Sequence, residues 1–177
     1  MNKIRLVPLA IFAVLLSSLQ VAAQAGAYVS GAMSLNDHGH QVDGDALGYT
    51  MAVGYRPQDG GFGAQVGYIN TGSTDVSGLG DLEMTGTNLS AVYWIPNNEP
   101  RLAYMHGYVK LGIYNIRATV ASATANSKGY SAGMGFEFRV KKNLGVYADL
   151  DGFALVDATD SRDDTLAVWS IGARYHF

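Results

Sequence analysis

From residue 47 to the C-terminus, apolar side chains return at every second position, segment after segment. Leu47, Tyr49, Met51, Val53 and Tyr55 alternate with Gly48, Thr50, Ala52, Gly54 and Arg56. Phe62, Ala64, Val66 and Tyr68 do the same against Gly63, Gln65 and Gly67. Tyr130, Ala132, Met134, Phe136, Phe138 and Val140 oppose Ser131, Gly133, Gly135, Glu137 and Arg139. At the end of the chain Ala167, Trp169, Ile171, Ala173, Tyr175 and Phe177 oppose Val168, Ser170, Gly172, Arg174 and His176. A two-residue period marks an extended strand, whose successive side chains point to opposite faces. An amphipathic helix needs a 3.6-residue stripe, and none persists beyond a couple of turns. Four less regular stretches, about 27–35, 84–95, 102–116 and 144–156, bring the set to about eight strands. Each is near the ~9–11 residues that a tilted strand needs to cross a bilayer.

The connections alternate in length. Pro57-Gln58-Asp59-Gly60, Pro96-Asn97-Asn98-Glu99-Pro100 and Lys141-Lys142-Asn143 read as tight turns built from turn-forming residues. The others, about 36–45, 71–83, 117–128 and 157–164, read as long loops. Short turns at one end and long loops at the other predict an all-β fold, an eight-stranded antiparallel up-and-down transmembrane barrel. Both termini then lie at the short-turn end.

A soluble lipocalin is also a barrel of about eight strands, so sidedness must separate the two. One face of these strands carries Tyr, Met, Val, Phe, Trp and Leu almost without interruption. The other carries Gly, Ser, Ala and Thr with fixed charges at Arg56, Lys110, Glu137, Arg139, Asp149, Asp151 and Arg174. A narrow barrel has little interior room, so small residues must accompany a few long ones. That accounts for 22 glycines in 177 residues. The charges are of mixed sign, and buried charge is costly unless paired, so a luminal charge network, structural or gating, is expected. Facing lipid near the midplane, each Arg or Lys would instead cost ~2–4 kcal/mol.

Residues 1–25 read as a secretory signal peptide: Lys3 and Arg5, an apolar run from Leu6 to Leu16, then small residues with cleavage after Ala23 or Ala25. The barrel domain is then 26–177, and its charge is −5, with 10 basic residues against 15 acidic, rather than the −3 of the whole chain. The chain has no cysteine, which excludes a lipoprotein anchor, disulfides and thiolate metal sites together. An acidic chain offers no surface for nucleic acid. Ten of the 15 acids lie in the predicted long loops: Asp37, Asp43, Asp45, Asp75, Asp81, Glu83, Asp157, Asp160, Asp163 and Asp164. Tyr55, Tyr68, Trp94, Tyr104 and Tyr175 lie near strand ends, where interfacial aromatic girdles are expected.

The final strand, with Trp169, Ile171, Ala173, Tyr175 and a terminal Phe177, resembles the C-terminal signal read by the outer-membrane barrel assembly machinery. Gly48 to Arg56, Tyr108 to Gly112 and Gly133 to Arg139 carry loose patterns of the same kind. Together they resemble the small outer-membrane β-barrel superfamily that holds the OmpA transmembrane domain, the OmpX and Ail-type proteins and the opacity proteins. The resemblance spans the chain after the signal segment. It implies residence in the outer membrane of a Gram-negative bacterium, contact with outer-membrane lipid and lipopolysaccharide, and assembly by the barrel machinery. It also implies a host or surface ligand at the extracellular loops. Lys110, Glu137, Arg139 and Arg174 would sit in the luminal network. The sequence stops at the last strand, so no periplasmic peptidoglycan-binding domain is expected.

Chemistry is sparse. Some barrels of this size modify lipid A, but a His-Ser pair on a late strand is missing, since the late His176 lies between Tyr175 and Phe177. His38, His40, Asp75 and Ser77 would have to converge from two loops to imitate a Ser-His-Asp arrangement. Asp37, His38 and His40 are too few for a defined metal site, and Gly78-Leu79-Gly80 opens no helix and so makes no phosphate loop. His106 reads as an interior residue. No catalytic residue, cofactor or metal is therefore expected. The expected role is a non-enzymatic surface barrel that supports the envelope or mediates adhesion through its acidic loops. A narrow gated pore is the alternative, and a lipid A-modifying enzyme is the more distant one.

Overall fold

The computed structural model describes residues 26–37, 46–57, 59–76, 80–97, 99, 103–120, 123–155 and 164–177. The signal segment and His38, His40, Asp43, Asp45, Ser77, Arg101, Asp157, Asp160 and Asp163 lie outside the described residues. Eight strands run in chain order: β1 (Ala27–Asp37), β2 (Ala46–Tyr55), β3 (Gly61–Val76), β4 (Gly80–Trp94), β5 (Met105–Val120), β6 (Ala123–Lys141), β7 (Leu144–Leu155) and β8 (Asp164–His176). Each pairs antiparallel with its sequence neighbour, and β8 returns to β1 to close the barrel. The closing seam runs from Tyr28↔His176 to Asp37↔Ala167. Closure leaves no unpaired edge through the membrane level, which a sheet in lipid requires.

The alternation sorts the faces. Leu47, Met51, Phe62, Val66, Leu111, Met134, Trp169 and Ile171 are exposed on the outside, where lipid would cover them. Their neighbours turn inward and are buried or half-buried. At the short-turn end, paired outer rings form a girdle: Phe62 with Tyr93, Tyr104 with Phe138 and Tyr175 with Phe177. Trp94 departs from the expected girdle. It shares parity with Ser90 and Val92, points into the lumen and is 1% exposed, while its neighbour Tyr93 takes the outward position. A strand-end position alone does not say which face a ring occupies.

Two of the predicted long loops are instead long hairpins. The β3–β4 ladder continues to Val76↔Gly80, and the β5–β6 ladder to Val120↔Ala123. Asp75, Asp81 and Glu83 therefore belong to strands, as do Asp37 at the end of β1 and Asp164 at the start of β8. At 16, 16 and 19 residues, β3, β5 and β6 exceed what the membrane needs and extend beyond it. The extensions are rich in Thr, Ser, Asn and Ala. Strand pairing continues there because backbone hydrogen bonds require no apolar face, whereas apolar alternation stops where lipid stops.

The short turns are tightly tied. Gly60 and Gly61 take φ of 85° and 102°, a left-handed conformation that glycine alone adopts without strain. Asn97 Nδ2 donates to Met105 O at 2.9 Å, and Asn143 Nδ2 donates to His176 O at 2.7 Å.

Candidate functional site

The charged lumen is assembled by parity and by register. On β5, Tyr108, Lys110, Tyr114 and Ile116 point inward; on β7, Tyr147, Asp149 and Phe153 do so; on β8, Val168, Ser170, Arg174 and His176. Register then sets the depth. Tyr108 stands beside Gly135 of β6, and Gly135 stands beside Asp149 of β7, in one row across three strands. One step deeper, Lys110, Gly133 and Asp151 form a second row. Glycine on the middle strand is what allows the outer two to meet. A Cβ at Gly135 would collide with Asp149 Oδ1 and the Tyr108 ring, and one at Gly133 with Asp151 Oδ1.

Near the short-turn mouth, Glu137 is fully buried and gathers nitrogen-bearing side chains from four positions. Arg174 Nη1 donates to its Oε2 at 2.9 Å, and His176 Nε2 lies 2.7 Å from its Oε1. Arg56 and Arg139 approach the same Oε1 at 3.8 and 3.6 Å, distances of ion pairs rather than hydrogen bonds. His106, beside Glu137 in the ladder, is half-buried at this level. Arg174 is enclosed by aromatic faces, its Cζ 4.6 Å from the Tyr28 ring centroid, 5.1 Å from Trp94, 5.0 Å from Tyr108 and 4.5 Å from Tyr147. Cation–π contact of a desolvated guanidinium contributes up to about 2 kcal/mol per favourable ring.

Farther in, Lys110 Nζ donates to Asp149 Oδ2 and to Asp151 Oδ2, both at 2.8 Å. Tyr108 links the two groups. It donates its hydroxyl hydrogen to Asp149 Oδ1 and accepts from Arg174 Nη2 at 3.2 Å. The result is one continuous chain of contacts, His176–Glu137–Arg174–Tyr108–Asp149–Lys110–Asp151. The seven charged residues expected at the lumen thus lie in two groups, four around Glu137 (itself included) and three around Lys110. Sequence reasoning missed the link through Tyr108 and the part played by His176. Parity carried a signal for both, because Tyr108 precedes Lys110 by two residues and His176 follows Arg174 by two.

Beside Lys110 and Asp149 is a cavity of about 30 Å³, also lined by Ser30, Thr50, Gln65 and Asn88. That is room on the scale of a single water in a polar site. Beyond it, toward the long hairpins, Ile69, Tyr114, Ile116, Phe153, Leu166 and Val168 pack as an apolar belt with Met84 against them. Tyr114 and Phe153 meet edge to face at 5.5 Å, and the Tyr114 hydroxyl donates to the Ala154 carbonyl. Among the described residues the lumen is therefore occupied at successive levels, by a paired charge network at one and by packed apolar side chains at the next.

Among the described residues, no group of three or more His, Cys, Asp or Glu side chains is placed to hold a metal ion. Of the residues weighed for lipid A chemistry, His38, His40 and Ser77 lie outside the described residues. Trp169, Ile171, Ala173, Tyr175 and Phe177 all face outward along β8 and its end.

Comparison with known proteins agrees with this architecture. The sequence pattern of the outer membrane protein beta-barrel domain matches residues 8–177. Among solved structures, this chain is similar to Neisserial surface protein A, with 18% identity and a TM-score of 0.60 over 85% of this chain and 96% of that one. It is similar to Ail, the attachment invasion locus protein of Yersinia pestis, solved with the heparin analogue sucrose octasulfate, with 19% identity and a TM-score of 0.59 over 86% and 97%. It is also similar to the outer membrane protein OprG of Pseudomonas aeruginosa, with 15% identity and a TM-score of 0.63 over 86% and 97%. At these identities the likeness concerns the fold. Comparison with curated proteins finds no significant match.

Proposed function

This chain belongs to the outer membrane protein beta-barrel family, and from that premise we propose that it is a non-enzymatic surface barrel whose work is done at its ends. The observation that carries this reading is the filled lumen. A path for solutes would have to cross both the Glu137–Arg174–Tyr108 cluster and the belt around Phe153, and the cavity beside Lys110 and Asp149 offers only about 30 Å³. The fold's remaining assets are its lipid-facing wall and its projecting hairpins. The apolar wall suits contact with outer-membrane lipid and lipopolysaccharide, and the outward β8 face suits recognition by the assembly machinery through Trp169, Ile171, Ala173, Tyr175 and Phe177. Deleting Phe177 should lower the fraction of chain that reaches the heat-modifiable folded form.

The hairpins β3–β4 and β5–β6 present backbone and polar side chains beyond the membrane, which suits adhesion or contact with a surface ligand. Ail was solved with a sulfated heparin analogue, a ligand that calls for cations. Here the described parts of the projecting strands carry Asp81 and Glu83 as well as Arg117 and Lys128, with no excess of cations, so a sulfated polyanion is not the ligand this charge balance favours. Planar-bilayer recording tests the reading directly. The wild-type barrel should show no steady conductance. Steps that change in Glu137→Ala or Arg139→Ala would favour the gated-pore alternative, with swapping ion pairs as the gate. Mass spectrometry of lipid A with and without expression should show unchanged acylation; a change would establish an enzyme instead.

A further inference from the structure

The outer wall is not evenly covered. An apolar furrow of about 870 Å³ runs across it, with Met134 and Phe136 of β6 on one side, Trp169 and Ile171 of β8 on the other, and Ala148 and Leu150 of β7 between them. Register explains the depression. Phe136, Ala148 and Ile171 stand in one row across the three strands, and alanine is its small member. The next row toward the short turns is Phe138, Val146 and Ala173, again with a shorter side chain beside the ring. Val146 therefore stands between an aromatic pair on β6, Phe136 with Phe138 at 5.4 Å, and one at the end of β8, Tyr175 with Phe177 at 5.2 Å. Beyond these rings the β6–β7 turn carries Lys141 and Lys142, both exposed. Among the described residues neither side chain has an ion-pair or hydrogen-bond partner, so Asp59 and Glu99 of the other short turns and the carboxylate of Phe177 leave both ammonium groups open. Lys141 lies five residues from Phe136. That is ~17 Å along a strand, roughly the ~15 Å depth of one leaflet of hydrocarbon.

We propose that Lys141, Lys142 and the furrow at Phe136, Ala148 and Ile171 form a binding site for one anionic phospholipid of the leaflet at the short-turn end. The lysines take the headgroup phosphate, and an acyl chain runs past Val146 and Ala173 into the furrow. Two open ammonium groups at headgroup level attract a lipid of net negative charge. A zwitterionic lipid brings the same phosphate with its own cation attached, so it gains less from them. Length matches as well, because the furrow lies about one leaflet's depth from the lysines. The proposal rests on the reading of the apolar wall as the lipid-facing surface.

The test uses the full chain purified in a non-ionic detergent, with native mass spectrometry counting the lipids that stay bound. Phosphatidylglycerol and phosphatidylcholine with the same acyl chains are added in equal amounts. Phosphatidylglycerol should be retained in preference, saturating at a single copy. Replacing Lys141→Gln and Lys142→Gln should lower that preference by roughly fivefold for each lysine, and should leave phosphatidylcholine binding as it was. Lys128→Gln, exposed toward the opposite end of β6, should change nothing. Ala148→Phe fills the furrow and should lower retention of both lipids. Gel mobility before and after heating shows whether each variant is a folded barrel, and if Ala148→Phe is not, the exposed lysine pair decides. Equal retention of the two lipids, a preference unchanged without the lysines, or full retention in folded Ala148→Phe would overturn the site and leave the lipid-facing wall standing. No bound lipid of either kind would overturn both.

Discussion

Arg174 of β8 and Glu137 of β6 meet at 2.9 Å although β7 runs between their strands. The strand between them supplies Gly145, which stands beside Arg174 in one ladder and Arg139 in the other. The Glu137 side chain lies over that glycine, where an added Cβ would meet its carboxylate at 2.7 Å. The same device recurs at Gly135 between Tyr108 and Asp149. Glycine in this barrel acts as a gap in the wall of side chains, across which partners two strands apart can touch.

Removing the hub should cost more than removing any one spoke. Glu137→Gln leaves three guanidiniums close together with no carboxylate among them, and loss of one member of a buried pair typically costs ~3–5 kcal/mol. Urea unfolding in lipid vesicles checks this. Combining Glu137→Gln with Arg174→Met should recover part of the loss, because the most deeply buried unpaired charge is then gone. A loss below ~1 kcal/mol would show that the network does not hold the barrel together.

The gap function of glycine predicts a contrast. Gly135→Ala should destabilise by ~1–3 kcal/mol, as forced overpacking does. Gly31 faces outward and an added Cβ meets nothing within 4 Å, so Gly31→Ala should stay within ~0.5 kcal/mol of wild type. Equal effects at the two sites, measured by the same unfolding midpoints, would remove the argument.

On the lipid face, Ile171 sits near the middle of β8 and is 69% exposed. Ile171→Arg should cost ~2–4 kcal/mol in the bilayer. A smaller cost in vesicles would place this position away from the hydrocarbon centre.

The apolar belt should be the second barrier to flow. Tyr114→Ala combined with Phe153→Ala removes two rings that meet across it. That variant alone should still conduct poorly, since the Glu137 cluster is intact. Adding Arg174→Ala should produce measurable steps in a planar bilayer. Conductance in the double variant without the third change would show that the charged cluster is no barrier.

The alternation of side chains determined much of this protein by itself. Strand number, the lipid-facing set and the inward orientation of Glu137, Arg139 and Arg174 all follow from a local rule of period two, which each strand obeys without reference to its neighbours. The same rule placed Tyr108 beside Lys110 on the inner face, but it is silent about height. Which inner residues meet depends on the stagger of each strand against the next, and stagger is set by the closed ladder as a whole. Only the tertiary structure therefore decided that Glu137 gathers cations from the β2 turn, β6 and β8, that Tyr108 joins the two charge groups, and that the inward Trp94 ring meets Arg56. It also decided how far the strands run. Apolar patterning ends at the membrane boundary, while backbone pairing in β3–β4 and β5–β6 continues past it, because hydrogen bonds between strands need a partner and not a hydrophobic face.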